Sequence, residues 1–265
     1  MNDETNIMVR PLADCAVLIT GGTSGIGLAS ARALAEAGAR RFVLNGRNAE
    51  RAEAARLSLA ETAPEAEIHL ALGDASSQAG AQGAVAACLD AFGRIDVLLN
   101  SAGGDVLPRL LHEQGMDEIE AVLRGELLST ILPTRAALEP MMAQGGGSII
   151  AIASDAAKVA TPGEAVIGAA LAGILMFTRT AAIEAKRSGV RLNCITPSIV
   201  RGTPHYDKLM ADKFAGRLFA KAEQRANLGV VEPEDLAQLV VYLASPAAAK
   251  LSGQGISLNG GITAA

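Results

Sequence analysis

Seven short apolar runs punctuate the 265-residue chain: CAVLIT (15–20), RFVLNG (41–46), EIHLAL (67–72), IDVLLN (95–100), GSIIAIA (147–153), VRLNCI (190–195) and GISLNG (255–260). Between them lie stretches such as GLASARALAEAGA and AERAEAARLSLAET, whose apolar residues recur at helical spacing. Apolar runs without alternation predict strands covered on both faces, which is the signature of a parallel sheet. Strand–helix alternation along the whole length predicts a doubly wound α/β domain with right-handed crossovers. The length suits one large domain of this kind. No internal repeat or linker interrupts it, and AQGGGS (143–148) reads as a loop leading from a helix into a strand.

Composition narrows the function classes. Half the residues are hydrophobic, yet no uninterrupted apolar run reaches the eighteen or so that span a bilayer. The start, MNDETNIMVRPLADC, is polar and acidic, unlike a secretory signal, and residues 1–12 are expected to be a loose tail. Cys15, Cys88 and Cys194 lie far apart with no C-x-x-C, so they read as buried small hydrophobes in a reducing compartment. Three scattered histidines offer no metal cluster. A net charge of −5 with 3% aromatics argues against a nucleic-acid surface. The expectation is a cytoplasmic protein with no metal, nucleic-acid or membrane partner.

The stretch LITGGTSGIGLASARAL follows the first strand and opens a helix. Gly21, Gly25 and Gly27 let the backbone turn tightly and approach a pyrophosphate, while the helix N-terminus offers free N–H groups to the anion. The strand–loop–helix context makes this a nucleotide-binding loop.

TGGTSGIG, NSAGG (100–104), IIAIASD, the helix at 163–186, RLNCITPS and the ending GISLNGG occur in an order that resembles the short-chain dehydrogenase/reductase family. The resemblance runs from about residue 12 to the end. It implies a single Rossmann-like three-layer sandwich over residues 13–265 with a mostly parallel seven-stranded sheet, and a substrate lid over about 198–228. It also implies a cofactor set of Gly21, Thr23, Ser24, Gly25, Ile26, Gly27, Arg47, Asp74, Ala75, Asn100, Ala102 and Gly103. Members that prefer NAD carry an acidic residue near the end of the second strand; here Gly46 stands there and Arg47 follows. A guanidinium forks onto a 2′-phosphate, and Thr23 and Ser24 add hydroxyls, so NADP(H) is expected over NAD(H).

The family's chemistry uses a serine, a tyrosine thirteen residues later, a lysine four beyond that, and an asparagine on an earlier helix. Ser154 fits the serine. The tyrosine and lysine positions hold Ile167 and Leu171, and the asparagine position falls on Glu126 in VLRGELLSTILPTRAAL. Neither hydrocarbon side chain moves a proton. Ser154 also reads as a hydroxyl that ends a strand and bonds locally. Substitute groups are sought among Asp155, Lys158, Glu164, His205 and Tyr206; Tyr206, in the lid, is the candidate acid, and a packing aromatic is the plainer reading. Ile167, Leu171, Ser198 and His205 are expected to line the substrate pocket. Gly168, Ala169, Ala170, Ala172 and Gly173 permit close helix–helix approach and suggest a subunit interface.

Three functions follow. The first is a non-catalytic NADP(H)-binding protein, a homotetramer or a hetero-oligomer with an active paralogue. The second is an active oxidoreductase on a bulky alcohol, ketone or acyl thioester with relocated acid–base groups. The third is a small-ligand binding module.

Overall fold

In the computed structural model, which describes residues 9–103 and 105–265, the expected strands pair into one seven-stranded sheet. They are β1 (Ala16–Thr20), β2 (Arg41–Gly46), β3 (Glu67–Leu72), β4 (Val97–Asn100), β5 (Gly147–Ile152), β6 (Val190–Thr196) and β7 (Gly255–Ser257). The order is β3-β2-β1-β4-β5-β6-β7, and every pairing is parallel. The strand order reverses between β1 and β4. There Thr20 is in register with Asn45 on one side and Asn100 on the other. Ligands of open parallel sheets sit at such a reversal, outside the carboxyl ends of the strands.

Nine helices accompany the sheet among the described residues: α1 (Gly25–Glu36), α2 (Ala49–Thr62), α3 (Gln78–Phe92), α4 (Met116–Leu123), α5 (Ser129–Ala143), α6 (Ala165–Ala185), α7 (Pro204–Ala211), α8 (Lys213–Glu223) and α9 (Pro233–Ala244). Their starts are written in the sequence. Asn48, Ser77, Thr203 and Asp212 each accept a backbone N–H of the following first turn, which supplies one of the partners a helix start lacks. Strand side chains alternate between two cores. Val17, Ile19 and Phe42 pack with Leu34, Leu236 and Val240 on one face. Leu18 and Val43 pack with Val85, Ala137 and Met141 on the other.

Four expectations shift. Leu12, placed in the loose tail, is buried in the first core; residues 1–8 of that tail lie outside the described residues. The helix expected over VLRGELLSTILPTRAAL (122–138) is broken into the end of α4, a π-helical turn at Arg124–Leu128, and α5. β7 stops at Ser257 because Asn259 turns inward to Asp155. The stretch Ala165–Ser188 is also long and apolar enough to cross a membrane, with half of its apolar window buried. Ala181, Ala182 and Ala185 use that apolar character on the sheet core.

Candidate functional site

Parallel strands deliver their loops to one edge, and backbone contacts knit those loops together. The amide of Gly22 donates to the Asn45 carbonyl, Gly73 to Gly46, and Ser101 to Thr20. Gly21, at φ +66°, runs so close to the next loop that a Cβ there would lie 2.6 Å from the Ala102 amide nitrogen. At the end of β2, a Cβ on Gly46 would lie 2.6 Å from the Thr23 methyl carbon. Gly46 therefore does more than vacate an acidic position: it seats Thr23. Ser24 provides no side-chain cap for α1, so the first amides of that helix are left for an anion. Bare backbone beside an uncapped helix start fits the phosphates of a dinucleotide.

Charge on this side is ordered around two carboxylates. The Ser76 amide and hydroxyl donate to Asp74 at 2.9 and 2.8 Å. The Ser76 amide, with smaller help from the Arg47 and Arg124 guanidiniums, holds the Asp74 carboxyl below its usual range. Arg47 is exposed at the β2 end. Asp105 is also held low, first by its bond from Lys208 in α7, with His205 and Arg47 adding to the effect. The Asp105–Lys208 pair ties α7 to the loop after β4. Ala75 is buried. Asn100, fully buried, donates to the Thr134 hydroxyl at 2.9 Å, and its Oδ1 has no partner among the described residues.

The substrate side is built around the turn after β5. Ser154 is half-buried, and its hydroxyl oxygen accepts from the Ala156 amide at 3.3 Å. The Asp155 amide donates to Pro197, which brings Ser198 and the loop after β6 alongside. The buried Asp155 carboxylate accepts from Asn259 at 2.6 Å and from Thr263 at 2.8 Å. Lys158 donates to the Ser257 hydroxyl and to the Ala265 carbonyl. These bonds make Asp155 and Lys158 anchors for the last strand and its extension. A Cβ at Gly168 would lie 2.9 Å from the Ala156 carbonyl, and one at Gly173 would lie 3.1 Å from a Leu127 methyl. Two of the small residues assigned to a subunit interface are therefore taken up inside the chain.

Ile167 and Leu171 are 7% and 5% exposed. They sit in an apolar cluster with Ala151, Ala153, Val122 and Ile174, against which Val106, Leu127 and Ala156 pack. One turn earlier on the same helical face stands Glu164. Burial pushes its carboxyl up to about 7; Thr161 opposes the rise, and the negative charge of Glu126 adds to it. Glu126 lies in the π-helical turn with Oε2 3.3 Å from where a Cβ on Gly103 would stand. Two carboxyl groups thus border the hydrocarbon wall, and Glu164 ranks higher in this geometry than the sequence suggested.

The segment expected to be the lid forms α7 and α8, packed through Ile199, Leu209, Ala215 and Phe219. Thr203 leans over the glycine loop, 3.6 Å from where a Cβ on Gly25 would be. Burial holds His205 below its ordinary value, and its Nδ1 is buried without a partner among the described residues. The Tyr206 hydroxyl donates to Glu223 at 2.9 Å, and Arg201 pairs with the same carboxylate at 3.1 Å. This phenol is bound within the lid.

Residues 21–263 match the family model described as enoyl-(acyl carrier protein) reductase. The chain belongs to the short-chain dehydrogenase/reductase family. Relatives of this family include a 3-oxoacyl-(acyl-carrier-protein) reductase of Chlamydia pneumoniae, 32% identical over 248 residues, covering 93% of this chain and 96% of that protein. A D-beta-hydroxybutyrate dehydrogenase of Rhizobium meliloti is 34% identical over 257 residues, covering 93% and 98%. The crystal structure of levodione reductase superposes with a TM-score of 0.88 at 29% identity, covering 94% of this chain and 97% of that one. Short-chain dehydrogenases/reductases bind a nicotinamide dinucleotide, and here the glycine loop, the β2 end and the Ser101–Gly103 segment lie side by side at the strand ends.

Proposed function

We propose that this short-chain dehydrogenase/reductase binds NADP(H) and supports ordinary carbonyl reduction far more slowly than a relative with a tyrosine–lysine pair. One observation carries the reading: Ile167 and Leu171 are buried in hydrocarbon on the helical face beside the Ser154 turn. The dinucleotide supplies or accepts a hydride when bound. The glycine loop and α1 start would hold its phosphates, and Arg47 its 2′-phosphate. Ser154 can donate to a carbonyl oxygen. No side chain at positions 167 and 171 gives that oxygen a proton, and a positioned general acid is worth about 10²–10⁴ in rate. The experiment measures bound nucleotide and turnover on one preparation, beside the double variant Ile167→Tyr with Leu171→Lys. A parent chain that already reduces ketones near the ~10 s⁻¹ typical of enzymes refutes the reading.

A second reading is favoured by Glu164. A carboxyl with a pKa of about 7 still carries its proton near neutrality and sits one turn from Ile167. In this reading it protonates the nascent alkoxide and is recharged from solvent. Its signature is a rate that falls as pH rises through about 7 and is lost in Glu164→Gln.

For assembly we propose a homotetramer or a hetero-oligomer with an active paralogue, in the cytoplasm. The support is a stripe on the outward face of α6: Ala165, Ala169, Ala172, Met176 and Ile183, with Met176 58% and Ile183 64% exposed. Such faces are seldom left in water.

A further inference from the structure

A cleft of about 400 Å³ opens between α8 and the start of α6, lined by Pro162, Lys213, Phe214, Arg217, Leu218 and Lys221. Its size falls within the range of small-molecule sites. The residues divide by chemistry. Phe214, Leu218 and Pro162 give it a hydrocarbon wall. Lys213, Arg217 and Lys221, spaced four apart on one face of α8, give it a cationic rim. None of these three cations has a carboxylate within ion-pair distance among the described residues, whereas Arg56, Arg94, Arg109, Arg201 and Lys208 all do.

The cleft is joined to the candidate site. The Phe214 ring closes to 2.7 Å of where a Cβ on Gly163 would stand, and Gly163, at φ +86°, accepts from the Arg109 amide. Glu164 follows directly, with Ile167 one turn on.

We propose that this cleft binds a single-chain organic anion, a carboxylate with an apolar body, with the carboxylate on Lys213, Arg217 and Lys221 and the body against Phe214 and Leu218. Charge complementarity selects the occupant: a neutral chain gains nothing from the rim, and a bare anion gains nothing from the wall. The cations stand along the rim and Phe214 and Leu218 along the wall, so the head group stays at the rim while the chain lies against the hydrocarbon. The inference does not rest on nucleotide binding, and it is tested without nucleotide.

The test is calorimetric titration of the full-length protein with octanoate, 1-octanol, octylammonium and inorganic phosphate. Titrations are repeated at high salt and on Lys213→Glu/Arg217→Glu and Phe214→Ser, all exposed positions whose folding is checked by thermal melting. Octanoate is expected to bind at least tenfold tighter than each of the other three probes. Charge reversal should weaken octanoate about fivefold or more, as should high salt, while leaving octanol unchanged. Phe214→Ser should weaken octanoate and octanol together. Octanol or phosphate matching octanoate overturns the proposal, as does octanoate binding that ignores the charge reversal, or no saturable octanoate binding by a folded protein. NADPH binding on the same preparation reports separately on the nucleotide reading.

Discussion

Glu164→Gln removes one titration and keeps the side-chain shape, so its effect on stability should depend on pH with a defined sign. The carboxyl of Glu164 rises from 4.5 to about 7 on folding, chiefly through burial. Below about 4.5 it is protonated in both states, and pH has no effect through this group. Between about 4.5 and 7 the unfolded chain releases the proton and the folded one keeps it, so the parent loses stability as pH rises. Above about 7 the folded protein carries a poorly solvated charge and the loss is complete. At 1.36 kcal/mol for each pH unit, the ceiling is about 3 kcal/mol. Glutamine never ionises, so Glu164→Gln should match the parent at about pH 4, exceed it by less than about 1 kcal/mol near pH 5, and exceed it by about 1–3 kcal/mol at pH 8. Urea unfolding of both proteins at pH 5, 6, 7 and 8 measures the difference. The companion Glu126→Gln removes the neighbouring negative charge and should narrow the window from its upper end. A parent–variant difference that is constant across pH, or that grows towards acid, refutes the buried-carboxyl argument.

Other consequences are independent of this one. Arg47→Ala should weaken NADPH by about tenfold or more, at 1.5–3 kcal/mol for a charge-assisted bond, and leave NADH nearly unchanged in fluorescence titration. Light scattering at micromolar concentration should report an oligomer, and a monomer would remove the interface assigned to the outward face of α6. Asn259→Ala leaves the buried Asp155 carboxylate with one donor fewer and should cost about 1–3 kcal/mol in the same urea assay.

The layered fold and the nucleotide side could be read in the chain because their information is local. Each strand is one apolar run, each cap is one residue, and TGGTSGIG holds its strand, loop and helix start within a few positions. Register follows from strand contact, and all seven runs pair as expected. The substrate side was less readable because distant segments build it. Asp155 and Lys158 look like loop charges until Asn259, Thr263 and Ser257 fold against them. Gly168 and Gly173 look like free interface glycines until the Ser154 turn and Leu127 fill the space beside them. The π-helical turn left no mark beyond Gly125 within it and Pro133 after it. The rim of Lys213, Arg217 and Lys221 did leave a signal, three cations spaced four residues apart on an amphipathic segment, but only the cleft beside it distinguishes that face from an ordinary solvated one.

The bonds from Asn259 and Thr263 to Asp155 join residues 104 and 108 positions apart, which sets an order of events during synthesis. A ribosome adding about 5–20 residues per second delivers Asn259 roughly 5–20 s after Asp155 has been made. Throughout that interval β1 to β4 and their phosphate-facing loops can already have assembled from contiguous chain. The serine turn, by contrast, holds a carboxylate that still lacks its Asn259 and Thr263 donors, with Lys158 as its nearby cation at 3.9 Å, and cannot settle into its buried position. The nascent protein therefore passes through a half-built stage, with its nucleotide edge complete and its substrate edge open to solvent, until the final strand emerges and closes it.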